Sequence, residues 1–171
     1  MTTLTLYTYK KAFILSLGEV TGQVYAYNLY PTSLDYLDKY KMPNLVSPRT
    51  HHTCVSYFND ENEYRILVAG GESSDLIMMN YLEVFANDQW SILQQSSLPV
   101  LTRYASMVAK EANKILLFGG QSADYMGEDG IYEFGEMGNW TRVGSMGQKN
   151  YGWTIVAPFK LNTRITTLTT K

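Results

Sequence analysis

The two histidines of the chain are adjacent, at His51 and His52. A pair of imidazoles is a possible metal-binding unit. The pair lies in the segment RTHHTCVSYF, whose composition indicates a β-strand, and adjacent side chains of a strand point to opposite faces. Two histidines placed in this way cannot ligate one ion, so we predict no metal site.

Nucleophilic catalysis needs a histidine that is held by a third group. The sequence spacing singles out no such set, and Cys54 is the only cysteine. The glycine pairs Gly70-Gly71 and Gly119-Gly120 do not resemble phosphate-binding loops, because neither is followed by Gly-Lys-Ser/Thr or by a helix-opening pattern. We therefore predict no catalytic residue and no cofactor, and we do not expect an enzyme.

Three carboxylates, Asp124, Glu128 and Asp129, lie close together in the sequence. Carboxylates are the usual ligands of calcium, but a dedicated calcium loop spaces its ligands regularly. These three lack that spacing, and a solvated acidic loop is the preferred interpretation.

The elements that carry these residues recur along the chain. The segment from Arg65 to Trp90 consists of an apolar run, a glycine pair, a loop, a second apolar run and a tryptophan, and the segment from Lys114 to Trp140 has the same parts in the same order. The two glycine pairs are 49 positions apart, and the two tryptophans are 50 positions apart. A weaker copy, built on AFILSLGEV and VYAYNL, precedes both.

Each unit is rich in β-branched and aromatic residues over short runs bounded by turn residues, which is typical of strands. Runs such as CVSYF do not alternate between apolar and polar residues, which favours sheets that are buried on both faces. We predict an all-β chain of small antiparallel sheets. Strands are expected near residues 13–17, 24–29, 53–58, 65–69, 81–86, 90–94, 104–109, 114–118, 131–134 and 140–143.

These repeats resemble the kelch family, whose period of about fifty residues forms one four-stranded propeller blade. The residues that carry the resemblance are Arg49, His52, Gly70, Gly71, Phe85 and Trp90 in one copy, and Arg103, Gly119, Gly120, Phe134 and Trp140 in the next. In the family the histidine at the place of His52 is structural. The resemblance implies a single kelch-repeat array over residues 1–171, with a degenerate blade at about 4–48, blades at 49–102 and 103–146, and a partial blade and tail at 147–171.

About three blades cannot close a ring, because propellers have four to eight. The segment is therefore incomplete as a ring, and exposed sheet edges invite association. Three interpretations remain open. The chain is a truncated piece of a longer product, or several copies self-associate to complete a propeller, or its termini cap an open arc.

The composition of the chain limits the classes of partner that it is expected to bind. A net charge of −2 and a pI near 5.7 give no basic footprint for nucleic acid, and no apolar stretch approaches the length of a membrane span. The single cysteine mildly favours a reducing compartment, so a cytoplasmic location is expected.

The remaining function is protein binding through loops, since kelch propellers resemble rigid platforms that present loops to partner proteins. The loop after the first glycine pair contains Leu76, Ile77, Met78 and Met79, and the loop after the second contains Tyr125 and Met126. Exposed apolar residues there would form a recognition surface. The alternative is that Leu76 to Met79 begin a strand and pack in the sheet.

We therefore expect a non-catalytic interaction module, with a scaffold of the substrate-adaptor type as one form of it. The sequence does not identify the protein partner. The competing function is that of a fragment of a propeller enzyme, of the galactose-oxidase-like or lyase type, whose active site lies in missing blades. Oxidases of that kind use a cysteine, tyrosines and two separated histidines, whereas His51 and His52 are adjacent.

Overall fold

The computed structural model describes residues 2–8, 11–17, 22–28, 39–135 and 138–150. These residues form twelve β-strands and no α-helix, which confirms the prediction of an all-β chain. The strands are β1 (Thr2–Thr8), β2 (Lys11–Leu17), β3 (Val24–Asn28), β4 (Lys39–Met42), β5 (Thr53–Phe58), β6 (Tyr64–Ala69), β7 (Tyr81–Ala86), β8 (Gln89–Ser97), β9 (Ser106–Glu111), β10 (Lys114–Phe118), β11 (Glu128–Phe134) and β12 (Trp140–Asn150). Within this part of the chain, no helix is long and apolar enough to cross a membrane.

The strands form three four-stranded antiparallel sheets, each built from four consecutive strands. The first sheet contains β1 to β4, the second β5 to β8 and the third β9 to β12. The first strands of the sheets lie next to one another, with β1 beside β5 and β5 beside β9. The sheets therefore follow each other in chain order, as the repeat predicts.

Each predicted strand overlaps an observed one, and β5, β7 and β10 have the predicted bounds. Residue 29 of the predicted strand 24–29 lies outside the described residues. The prediction missed β1 and β4. The strand β4, with the sequence KYKM, is short and rich in lysine, which is common in edge strands and weakens the strand signal. The strand β12 extends to Asn150, beyond the predicted boundary of the third unit at 146.

The second sheet is buried on both faces, which explains its nearly continuous apolar runs. One face packs on the first sheet in a cluster that consists of Val24, Ala26, Leu45, Cys54, Ile66, Val68 and Trp90. The other face packs on the third sheet in a cluster that consists of Val55, Tyr57, Leu67, Ala69, Leu82, Val84, Leu98, Met107, Ile115, Leu117 and Phe134. Burial raises the pKa of the Cys54 thiol to about 12, so this cysteine is a neutral core residue.

The two tryptophans of the repeat fill the spaces between sheets. Trp90 is 7% exposed and packs against the first sheet, and its Nε1 donates to the carbonyl of Pro43 at 3.1 Å. Trp140 packs against the cluster between the second and third sheets and is also largely buried, as predicted, but less completely than Trp90. Each tryptophan pairs across the strands with a phenylalanine, Phe85 or Phe134.

The first glycine pair ends β6, as predicted, and both glycines have positive φ, 65° at Gly70 and 84° at Gly71. A Cβ atom at Gly70 would collide with the carbonyl oxygen of Thr102, and one at Gly71 would collide with the carbonyl oxygen of Thr50. These carbonyls belong to the segments that precede β9 and β5. The glycines therefore allow neighbouring backbones to approach closely.

A buried ion pair joins Arg49 to Glu83 of β7. Arg49 Nη2 lies 2.6 Å from Glu83 Oε1, and neither side chain is exposed. Arg49 also donates to the carbonyls of Gly70 and Tyr81, and Glu83 accepts hydrogen bonds from the backbone N–H groups of Val46 and Ser47. The pair fixes the segment before β5 on the second sheet.

The structural counterpart of Arg49 in the third sheet is Thr102, not Arg103 as the comparison of the two repeats predicts. Thr50 forms a β-bridge with Glu72, and Arg103 forms the matching bridge with Gln121, so Arg103 corresponds to Thr50. Thr102 is 1% exposed, and its hydroxyl faces the carbonyl of Gly119 at 3.5 Å. Arg103 is therefore available for a different role.

Candidate functional site

The connections between strands differ sharply at the two ends of the sheets. Residues 43–52, 70–80, 98–105 and 119–127 are long connections that lie at one end, which we call the loop end. Residues 59–63, 87–88 and 112–113 are shorter connections at the opposite end, which we call the hairpin end, and the described residues 135, 138 and 139 also lie there. The candidate recognition residues of the sequence lie at the loop end.

The loops that follow the two glycine pairs share the same pattern of backbone hydrogen bonds. In the first loop, Ser73 N–H donates to the carbonyl of Ile77 and Leu76 N–H donates to the carbonyl of Ser73. In the second loop, Ser122 N–H donates to the carbonyl of Met126 and Tyr125 N–H donates to the carbonyl of Ser122. The same bonds at matching positions show that the repeat extends into the loops, where Leu76 corresponds to Tyr125.

Both loops expose large apolar side chains at their tips. The exposed fractions are 72% for Leu76, 65% for Ile77, 68% for Tyr125 and 51% for Met126. We call these four residues the tip surface. The alternative in which a strand begins at Leu76 is wrong, because β7 begins at Tyr81.

The two methionines of the first loop have different positions. Met78 is half-buried and forms a β-bridge with Glu72. Met79 is only 9% exposed, and its backbone N–H donates to the carbonyl of Gly71. The expectation that Met79 lies on an exposed recognition surface is therefore corrected, because its side chain belongs to the core.

The backbone at the tips adopts a conformation that large side chains rarely have. Among the described residues, four non-glycine positions at the hairpin end have positive φ, and all four are the residues that tolerate it best, Asn62, Asn87, Asp88 and Asn113. Four positions at the loop end also have positive φ. One is His51, a residue type that also tolerates it, but the other three are Leu76, Tyr104 and Tyr125. For such side chains this backbone conformation costs about 1–2 kcal/mol per residue.

An ion network lies at the base of the two loops. Glu72 is 3% exposed, and its carboxylate is 2.7 Å from His51 Nδ1 and also accepts a hydrogen bond from Arg103 Nη1. Arg103 Nε donates to Gln121 Oε1 at 3.1 Å, and the guanidinium lies 4.8 Å from the centre of the Tyr125 ring. Arg103 therefore links the base of the first loop to the tip of the second.

The network keeps Glu72 ionised. Burial by itself would raise the pKa of Glu72, but the hydrogen bonds from His51 and Arg103 outweigh it and lower the pKa below its usual range. The ion pair with Glu72 likewise outweighs the effect of burial on Arg103, whose pKa is raised. The bases of both loops are therefore fixed by charges that persist at neutral pH.

The two adjacent histidines lie in different environments. His51 is exposed, precedes β5, and contacts the ring of Tyr104 in a tilted arrangement with 4.4 Å between ring centres. His52 is 5% exposed, and burial, with the nearby charge of Arg49, lowers its pKa to about 3. Both histidines precede β5, which begins at Thr53, so the alternation of side chains along a strand does not apply to them. Because one imidazole is on the surface and the other in the core, the two do not converge on a common site.

Asp124 is bonded within the second loop, whereas Asp129 joins β11 to β12. Asp124 accepts a hydrogen bond from the Ser122 hydroxyl, and Asp129 is 3.0 Å from Arg142 and 2.6 Å from the Ser145 hydroxyl. In the described part of the chain, no group of three or more His, Cys, Asp and Glu residues is placed to hold a metal ion.

A groove of about 450 Å³ lies at the hairpin end, between the second and third sheets, and is lined by Tyr57, Asn59, Asp60, Glu61, Arg65, Leu93, Asn113, Phe134, Gly135 and Gly138. Its polar groups bond to near neighbours in sequence. Asn59 and Arg65 both donate to the carboxylate of Glu63. The groove lacks the exposed apolar side chains that distinguish the loop end.

Sequence reasoning identified the tips but missed the residues that fix them. Glu72 and Gln121 directly follow the two glycine pairs, so the repeat places them at equivalent positions. The repeat could therefore have indicated Glu72 and Gln121 as residues that fix the bases of the loops. The contacts of His51 and Arg103 with Glu72 could not have been found in this way, because they join segments 21 and 31 positions apart in the sequence.

No protein-family model and no curated protein sequence matches this chain. Among solved structures, the structure of YjhT is similar, with a TM-score of 0.61 at 15% sequence identity. The similarity covers 84% of this chain and 51% of YjhT. The chain therefore spans about half the length of YjhT, and at this identity the likeness shows the fold alone.

Proposed function

We propose that this chain is a protein-interaction module that binds a partner through its tip surface. The observation that carries the proposal is the presence of Leu76 and Tyr125 at matching positive-φ positions, more than two thirds exposed. Asparagine or glycine would suit these positions better in the folded chain. Strained backbone and exposed apolar groups are both features that concentrate at binding sites.

The rigid base supports the same function. Glu72, Arg103 and Gln121 hold the loops by charged and neutral hydrogen bonds, so the tips are positioned before a partner arrives. Preorganised loops lose less conformational entropy on binding. Methionine and tyrosine are also residue types that serve well in protein interfaces.

The proposed scaffold is a kelch-type β-propeller segment. Consecutive four-stranded antiparallel sheets, innermost strands that lie side by side and a tryptophan between sheets are the features that support it.

The outer face of the third sheet supports a ring that continues beyond it. Val108, Leu116, Phe118 and Ile131 occupy the positions that in the second sheet belong to Val55, Leu67, Ala69 and Leu82. The latter four are buried under the third sheet, whereas the former four are partly exposed. A further sheet, from a second copy or from the rest of a longer chain, would cover them.

The function is tested by quantitative affinity capture with three baits. These are the wild-type chain, a Leu76→Asn/Ile77→Ser variant, and the control Val143→Ser, which changes an apolar side chain of β12 that is 52% exposed. We expect specific partners that are retained by the control and lost by the tip variant. Because the tip residues are exposed, the melting temperature of the variant should equal or slightly exceed that of the wild type.

If the same partners are captured by all three baits, the tip surface is not the binding site. If the tip variant loses its partners together with its fold, Leu76 and Ile77 are structural, and the proposal fails.

A further inference from the structure

Each tip carries a carboxylate directly before its apolar pair. The first loop has Asp75 followed by Leu76 and Ile77, and the second has Asp124 followed by Tyr125 and Met126. All six side chains are exposed, and the two loops have the same backbone structure. The repeat therefore presents one motif twice, an acidic group beside two large apolar groups.

The two loops have no positive charge of their own. Residues 70–80 and 119–130 contain five carboxylates, Glu72, Asp75, Asp124, Glu128 and Asp129, and no lysine or arginine. Arg103 pairs with Glu72, and Arg142 pairs with Asp129. Lys149 of β12 is the other cation close enough to influence Asp124 and Asp129. Among the described residues, the ion pairs involve none of Asp75, Asp124 and Glu128, so the tips have an excess of negative charge.

The carboxylate of Asp124 remains ionised at neutral pH. The Ser122 hydroxyl and the Met126 N–H bond to it and lower its pKa below the usual range. An exposed carboxylate beside two apolar side chains favours a partner segment that carries a cation next to apolar groups.

We infer that the tip surface binds a basic, apolar segment of a partner protein, in which lysine or arginine lies beside aromatic or aliphatic residues. The apolar side chains of that segment would pack on Leu76, Ile77, Tyr125 and Met126, and its cations would pair with Asp75 and Asp124. Opposite charges across an interface speed association and select against acidic partners. The inference rests on the proposed function and specifies the partner's chemistry.

The test is a phage-display selection of random 12-residue peptides on the full chain, followed by fluorescence anisotropy with synthetic copies of the enriched peptides. We expect enriched peptides with net positive charge and at least one aromatic or aliphatic residue. Asp75→Lys should weaken their binding about tenfold or more, and raising the salt concentration should weaken it in the wild type.

Two further variants test whether the effect depends on the position and on the size of the charge change. Glu61→Lys makes the same charge change at an exposed position of the hairpin end and should leave the affinity within about twofold of wild type. Asp124→Asn should weaken binding less than Asp75→Lys, because it removes one charge without adding the opposite one.

The possible outcomes lead to different conclusions. Neutral or acidic peptides that are lost in Leu76→Asn/Ile77→Ser but unaffected by Asp75→Lys would overturn this inference and leave the proposed function standing. Peptides that bind all the variants equally, or a selection that enriches none, would overturn both.

Discussion

Removing one partner of the buried Arg49–Glu83 pair is expected to destabilise the fold strongly. In an Arg49→Met variant the Glu83 carboxylate stays fully buried and retains only the N–H groups of Val46 and Ser47 as donors. Leaving one charge of a buried pair uncompensated costs about 3–5 kcal/mol. For a domain of this size, that corresponds to a decrease in melting temperature of roughly 10 °C.

A double variant separates the charge effect from the loss of packing. In Arg49→Met/Glu83→Leu no buried charge remains, and replacement of a buried pair by apolar residues is often nearly neutral. The third sheet has uncharged residues at the corresponding positions, Thr102 and Tyr132, so this fold already accommodates a neutral version. We expect the double variant to recover most of the stability that Arg49→Met loses.

The assay is urea unfolding followed by tryptophan fluorescence and circular dichroism, with two-state behaviour checked by coincident transitions. An Arg49→Met cost below about 1 kcal/mol, or a double variant as unstable as the sum of the single ones, would refute the role assigned to this pair.

Three further predictions follow from packing, burial and the open sheet face. Trp90→Ala should lower the free energy of unfolding by about 3–5 kcal/mol. Trp140→Ala should lower it less, because the Trp140 ring is less completely buried. Chemical denaturation measures both losses. In the folded chain, burial in the core lowers the pKa of His52 from 6.5 to about 3, so acid favours the unfolded chain, in which this histidine is protonated more readily. The stability it supports is complete above pH 6.5 and decreases as the pH falls toward 3, by about 2 kcal/mol at pH 5, and His52→Leu should flatten that decrease. Light scattering on the purified chain should show a dimer or larger species if copies cover the outer face of the third sheet.

Each of these has a contradicting result. Equal costs at Trp90 and Trp140 would contradict their unequal burial. An unchanged acid dependence in His52→Leu would show that another group causes it. A well-dispersed monomer would refute assembly between copies.

The strands and the repeat were predictable because they depend on local pattern. Short β-branched and aromatic runs gave most strands, and the glycine pairs marked where β6 and β10 end. The missed strand β1 has alternating threonine and leucine, TTLTLYT, which is itself a strand pattern. Its omission was an error of reading rather than a lack of signal.

The counterpart of Arg49 was mispredicted because the two hairpins differ in length. The connection between β5 and β6 spans residues 59–63, whereas the connection between β9 and β10 spans only 112–113. Matching Arg49 to Arg103 therefore aligned the two repeats with an error of one residue. Nor did the sequence indicate that Glu83, in the strand YLEVFA, is buried, because its partner comes from a connection 34 positions away.

The tip surface was only half predictable. Apolar residues in a long loop indicated a recognition surface, but nothing in LIMM separates the exposed Leu76 and Ile77 from the buried Met79. That difference arises from the backbone turn at Leu76 and from the hydrogen bond of Met79 to Gly71. Both depend on the folded loop.

The most direct test of the proposed function is the affinity of a purified partner for the wild-type chain, for Leu76→Asn/Ile77→Ser and for Val143→Ser, measured by isothermal titration calorimetry. The partner is the protein most enriched in the capture experiment. We predict that the tip variant raises the Kd at least tenfold, about 1.4 kcal/mol, while Val143→Ser changes it less than twofold. Equal affinities for all three chains would contradict the claim that this protein binds its partner through the tips of its loops.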